Sequence, residues 1–256
     1  MSGATRRAVR WLAVAVLAVI AGPAEAAEIH VLSAGAVRSI VTDLAQAFEK
    51  ETGHRVSLAF GTVGVTRKRL ATDPADVVIM SDVAIDESIK QDALVAGSRV
   101  DIARTGMGVG VRDGAPKPDI ATAEAFKRAL VEARSITYVD PAQGATSGIH
   151  FAGILQQFGI ADAVKPKTTL VPGGYPAELV AKGEVEMVVH QISEIVPVQG
   201  VTLVGPLPRE VQKVTVYSTG IARKAVTPDV TRAFVAYLTS AAVKPKFAAA
   251  GLDYKE

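Results

Sequence analysis

The hydrophobic positions of this chain fall into short runs separated by helical stripes. Ile29 to Ser33 alternates and then runs apolar, as a short strand does. After a break at Ala34-Gly35 come Val37, Ile40, Val41, Leu44 and Phe48, spaced as one face of an amphipathic helix packed on a sheet. Arg55 to Phe60 predicts a second strand, and Gly61-Thr62-Val63-Gly64 leads into a helix that runs to about Ala71. Asp76 to Met80 is a continuous apolar run of the kind found in a buried parallel strand, and Ser81-Asp82 is placed to cap a helix carrying Ile85 and Ile89. Three strand-then-helix units in succession predict a parallel sheet with helices on its faces.

From Val100 the pattern changes to a long alternation through Ile102, Met107, Val109 and Val111. A second strand-and-helix series follows, with strands expected at 135–139, 168–171, 186–190 and 201–204. A second long alternation then spans Lys213 to Ala222, and two helices end the chain. The long alternating segments bracket a complete α/β unit, so the chain is expected to cross twice between two α/β domains. The first would comprise residues 27–104 and 213–256, and the second 105–212.

Residues 1–26 have the make-up of a secretory signal peptide. Arg6, Arg7 and Arg10 precede an apolar run from Trp11 to Ile20, and Ala24-Glu25-Ala26 has the small-x-small form of a cleavage site. That run is shorter than the roughly 20 residues of a permanent span. Removing the segment takes away three arginines and one glutamate, so 28 basic against 26 acidic residues become equal numbers. A neutral mature chain without a basic cluster points away from nucleic acid and from an anionic membrane surface, and with no later stretch approaching a span's apolar length no stable membrane insertion is expected. Without cysteine there is no disulfide framework and no thiolate metal site. His30, His54, His150 and His190 show no metal-ligand spacing, so neither metal nor cofactor is expected, and the expected location is the periplasm.

Four turns place glycine or a hydroxyl residue between a strand and a helix start: Ser33-Ala34-Gly35-Ala36, Gly61-Thr62-Val63-Gly64, Gly144-Ala145-Thr146-Ser147-Gly148 and Pro172-Gly173-Gly174-Tyr175. In open α/β sheets ligands sit beyond the carboxyl ends of the strands, and turns on two facing sheets can converge on one cleft. The order of VLSAGAVRSIVTDLAQAFEKETG, the FGTVG turn, PADVVIM, GEVEMVVHQISEI and FVAYLTSAAVKPKFAAAGL resembles the type II periplasmic solute-binding proteins, in particular the molybdate-binding family. That resemblance implies two α/β domains with parallel-core sheets and two crossover strands, closing on a ligand held between them. It also implies a monomer that delivers a small anion to an ABC permease. Where the molybdate binders present hydroxyls, this chain has Ala36 in the first turn, Thr62 followed by Val63 in the second, and His190 near a tyrosine position. These departures favour a small carboxylate over an oxyanion.

A second, regional resemblance is to the secreted aconitate isomerases, through DVVIMSDVAIDESIKQDALVAGSRVDIA, GVGVRDGAPKPDIATAEAFKRALVEARSITYVD and GPLPREVQKVTVYSTGI. It implies the alternative function, interconversion of cis- and trans-aconitate by allylic proton transfer. Anchoring carboxylates calls for cations, and Arg38, Arg67 and Lys68 lie in the first turns of helices that follow such loops. A proton shift calls for a base, for which His190 is the leading candidate, with Tyr138 and Asp140 behind it. The expected ligand-contacting set is Ser33, Gly35, Ala36, Arg38, Gly61, Thr62, Arg67, Thr146, Ser147, Tyr175, His190 and Gln191.

Overall fold

The computed structural model describes residues 26–253; the signal-peptide reading falls almost wholly outside them. Strand β1 (Glu28–Ala34) leads through a 3-10 turn at Gly35–Val37 into α1 (Arg38–Thr52). Then come β2 (Arg55–Gly61), α2 (Val63–Thr72), β3 (Val77–Ser81) and α3 (Asp82–Lys90). Ser81 occupies the cap position of α3 as expected, but its side chain makes no capping bond.

The long alternation at 100–111 is two strands. β4 (Val100–Thr105) belongs to one sheet and β5 (Met107–Arg112) to another, with the chain passing between them at Gly106. After α4 (Ala123–Glu132) come β6 (Ile136–Val139), α5 (Thr146–Gln157), α6 (Ala161–Val164) and β7 (Thr168–Val171). The second series ends with α7 (Ala177–Ala181), β8 (Met187–Gln191), α8 (Ile192–Ile195) and β9 (Val201–Pro206). β10 (Thr215–Ile221), α9 (Pro228–Leu238) and α10 (Lys244–Ala249) complete the chain.

The two sheets have strand orders β2-β1-β3-β10-β4 and β7-β6-β8-β5-β9. In the first, β1 runs parallel to β2 and β3, and β10 is antiparallel to both β3 and β4. The second repeats the arrangement, with β6 parallel to β7 and β8, and β5 antiparallel to β8 and β9. The parallel cores are therefore edged on one side by the crossing strands.

Burial explains the unbroken apolar runs. In β3, Val77 and Ile79 enter the core beneath α1 and α9, while Val78 and Met80 enter a separate core beneath α3. In β8, Met187 and Val189 face the aromatic core of Phe126 and Phe151, and Val188 faces Ala177, Val180 and Ile195. A strand covered on both faces has no solvent side on which polar residues would gain anything, so the alternation disappears. Among the described residues, no helix is long and apolar enough to cross a membrane.

Candidate functional site

The turns after β1, β2, β6, β7 and β8 converge on one narrow cleft between the sheets. Of the residues expected to contact ligand, Gly35, Ala36, Arg38, Gly61, Thr62, Thr146, Ser147 and His190 line it. Gly173 and Gly174 of the fourth predicted turn line it as well.

Other members of the expected set are placed differently. The hydroxyl of Ser33 is buried and donates to the Ala34 carbonyl at 3.1 Å. Arg67 points to the outer surface, where it pairs with Glu87 with both side chains about half exposed. A guanidinium committed to a carboxylate in solvent is no anchor for a ligand elsewhere, and Lys68 is likewise exposed. Gln191 is buried, with Nε2 directed at Thr215 Oγ1 (3.3 Å) and the Tyr217 hydroxyl (3.4 Å). Tyr138 packs edge-on against Phe151 within the second core, and Asp140 accepts the Ala142 N–H in the turn after β6.

Arg38 has no ion-pair partner among the described residues. Its guanidinium carbon lies 4.7 Å from the ring centre of Phe60 on β2 and 5.6 Å from that of Tyr175, which belongs to the second α/β unit. Its Nε is buried without a hydrogen bond. Two aromatic faces can hold a guanidinium but cannot accept its N–H groups in its own plane, so its donors remain available to an anion. Burial, with Glu194 adding to it, pushes the Tyr175 hydroxyl up to about 12, against the opposing pull of Arg38.

On the other wall is a pair that the sequence reading had only half assembled. β8 runs into α8 with no intervening loop, Gln191 being both the last strand residue and the helix cap. That junction brings residues four apart together: His190 Nε2 is 3.3 Å from Glu194 Oε2, with His190 2% and Glu194 7% exposed. The contact is close enough for an ion pair but lacks the alignment of a hydrogen bond. His190 Nδ1 meets Ser147 Oγ at the start of α5 at 3.0 Å, so both ring nitrogens have polar neighbours. The other Glu194 oxygen reaches the first turn, where a Cβ placed on Gly35 would lie 3.0 Å from Oε1. Glu194 therefore spans from the imidazole to the loop beneath Arg38. The expected set omitted it because a glutamate after a strand reads as an ordinary helix-start charge; its spacing from His190 was the available signal.

The walls also touch directly. Gly64 N–H donates to the Gly144 carbonyl at 3.1 Å, and the Thr62 hydroxyl donates to the Gln143 carbonyl. A Cβ on Gly64 would meet Gln143 O and Gly144 Cα at 2.8 Å, and both are backbone atoms that cannot swing aside. Gly64→Ala should hold the two turns apart and weaken ligand binding about tenfold, at the low end of the 1–3 kcal/mol that overpacking costs. Titration calorimetry checks it; unchanged affinity would mean that the cleft closes without this contact.

Residues 29–253 match the family model described as bacterial extracellular solute-binding protein. The aconitate isomerase of a Pseudomonas species is 35% identical over 217 residues, covering 82% of this chain and 81% of that protein. The molybdate-binding protein ModA of Azotobacter vinelandii is 35% identical over 82 residues, or 31% of this chain and 32% of its own. A solved periplasmic molybdate-binding protein of Azotobacter vinelandii superposes with a TM-score of 0.74 at 19% identity, covering 89% of this chain and all of that one. By the extent of the family match and by its fold, this chain belongs to the bacterial extracellular solute-binding proteins.

Proposed function

We propose that this chain is a periplasmic isomerase of small unsaturated polycarboxylates of the aconitate class, built on a solute-binding fold. The observation that carries the reading is the buried Glu194–His190 pair, set in the same cleft as Arg38, which has no ion-pair partner among the described residues. A receptor for an anion gains nothing from a carboxylate in its cleft, since like charge costs affinity. A double-bond shift in an unsaturated acid does require such a group, because a proton must leave one carbon and a proton must be added at another. The 35% identity to an aconitate isomerase, extending over most of both chains, supports the same assignment.

In this reading Glu194 is the base, because its Oε1 reaches the Gly35 turn whereas His190 Nε2 is buried behind it. Glu194 takes a proton from the substrate methylene. The C–H electron pair spreads over the allyl system and its carboxylates, and a proton returned to the far allyl carbon moves the double bond with no net change in atoms. Ser147 fixes the His190 ring, and the imidazole steadies Glu194 in both protonation states. Arg38 anchors one substrate carboxylate, and the helix starts at Gly35 and Thr146 direct backbone N–H groups toward others.

A second reading, delivery of a small carboxylate to an ABC permease, rests on the family match and on the molybdate-binding relatives. The two separate in one assay, the absorbance change as purified protein is mixed with cis- or trans-aconitate. Turnover supports the isomerase; saturable binding without turnover of either isomer or of related unsaturated acids leaves the receptor. Thermal shift across citrate, tricarballylate, both aconitates and molybdate ranks the ligands, since a ligand at 100 times its Kd stabilises by about 2.7 kcal/mol. Arg38→Gln should weaken carboxylate binding about 10- to 100-fold, matching the 1.5–3 kcal/mol typical of a hydrogen bond to a charged group. Unaltered affinity in that variant would remove Arg38 as the anchor.

A further inference from the structure

We infer that Tyr217 is the hydrogen-bond donor to the substrate oxygen on which negative charge collects when Glu194 removes the carbon-bound proton. The inference rests on the isomerase reading and assigns a residue that the base and the anchor leave unexplained. Tyr217 lies on β10, a crossing strand, with its ring in the core of the first unit and the residue 2% exposed, yet it contributes to the cleft lining. Its hydroxyl oxygen accepts from Gln191 Nε2 at 3.4 Å. Gln191 directly follows His190 and also lies 3.3 Å from Thr215 Oγ1, so the phenol is tied to the end of β8 from which the helix bearing Glu194 starts.

Acceptance from Gln191 occupies one lone pair and leaves the phenolic proton uncommitted. No hydrogen bond donated by it appears among the described residues. Burial first, and then the charge of Glu194, hold the phenol protonated well above its ordinary range, with Gln191 only partly opposing them. A neutral donor beside a carboxylate base suits this chemistry. Loss of the proton turns a substrate carboxylate into an oxygen-centred, electron-rich enediolate, and a phenol donates more strongly to that oxygen than to the resting carboxylate. No bond to the phenolic proton need break; the stabilisation is electrostatic and is largest in the transition state, so its loss appears in kcat and not in binding.

Tyr217→Phe keeps the ring in its core and removes only the hydroxyl. Steady-state assays with both aconitates should show kcat lowered about 100-fold, the usual cost of one such donor, with KM and ligand-induced thermal stabilisation changed by less than about threefold. Tyr237→Phe is the control, because that hydroxyl meets Glu51 at 3.2 Å on the outer surface and should leave kcat unchanged. If Tyr217→Phe yields too little folded protein, Gln191→Met gives the second reading. It leaves the phenol without its donor and less ready to give its proton, and should lower kcat about fivefold, the equivalent of a typical net hydrogen bond. Turnover by wild type with unchanged kcat in a folded Tyr217→Phe overturns the role of Tyr217 alone. A parallel rise in KM with kcat intact assigns Tyr217 to ground-state binding and also overturns it. Absence of turnover in wild type removes the isomerase reading, and this inference with it.

Discussion

Glu194→Gln should abolish isomerisation, lowering kcat by about 100- to 10,000-fold, the range associated with losing a general base. The substitution preserves shape, so the cleft and the Gly35 turn beneath Oε1 stay as they are while the basic oxygen is gone. Binding of a polycarboxylate should survive or tighten, because a negative charge has been removed from an anion site. His190→Gln should cost less in rate, and it should displace the pH profile of kcat, because the imidazole acts through Glu194 and not on substrate. Equal collapse in both variants would transfer the base to His190, the residue that the sequence reading favoured. If wild type proves to be a receptor, Glu194→Gln can only raise affinity for the anion. Affinity is kept or raised in either case, so turnover by wild type and its loss in Glu194→Gln, not binding, separate enzyme from receptor.

Gly148→Ala should be the most damaging single methyl group in the cleft walls. Gly148 is the third residue of α5, and a Cβ there would lie 2.2 Å from the Val139 carbonyl oxygen and 3.1 Å from its carbon. Both atoms belong to the end of β6, so the clash can be relieved only by moving a helix away from a sheet. Overpacking of this kind costs about 3 kcal/mol, which for a chain of this size lowers Tm by about 6–12 °C. The displacement also carries Ser147 away from His190 Nδ1, so carboxylate turnover should fall in whatever protein remains folded. Gly153 supplies the control on the same helix. Nothing lies within 4 Å of its added Cβ, and Gly153→Ala should stabilise by up to about 1 kcal/mol. Similar Tm values for the two variants would show that α5 does not depend on its close approach to β6.

Much of the architecture was legible from the order of residues, for reasons of local physics. The stripe of Val37, Ile40, Val41, Leu44 and Phe48 has one helical solution, and those residues are buried together. The apolar run at 76–80 announced a strand covered on both faces, and the glycine-bearing turns marked where strand ends meet helix starts. The chemistry was less legible. Arg38 and Arg67 have the same sequence credentials, each expected near the start of a helix after a ligand-side loop. Only the placement of Glu87 on α3, beside Arg67, and of Phe60 and Tyr175 around Arg38 tells a surface ion pair from a free guanidinium. A crossing was expected within the alternating segment at 100–111, but as one long strand; that the segment is two strands parted at Gly106 and belonging to different sheets was hidden, because alternation reports a strand's faces and not its partners. His190 stood out by its chemistry and Glu194 did not, since a carboxylate near a helix start is commonplace until burial and a neighbour 3.3 Å away make it unusual. The sequence thus determined the elements, which depend on neighbours along the chain. Which charges face each other in the cleft depends on residues far apart in the chain, such as Arg38 and Tyr175 or Ser147 and His190, and that was decided only by the tertiary fold.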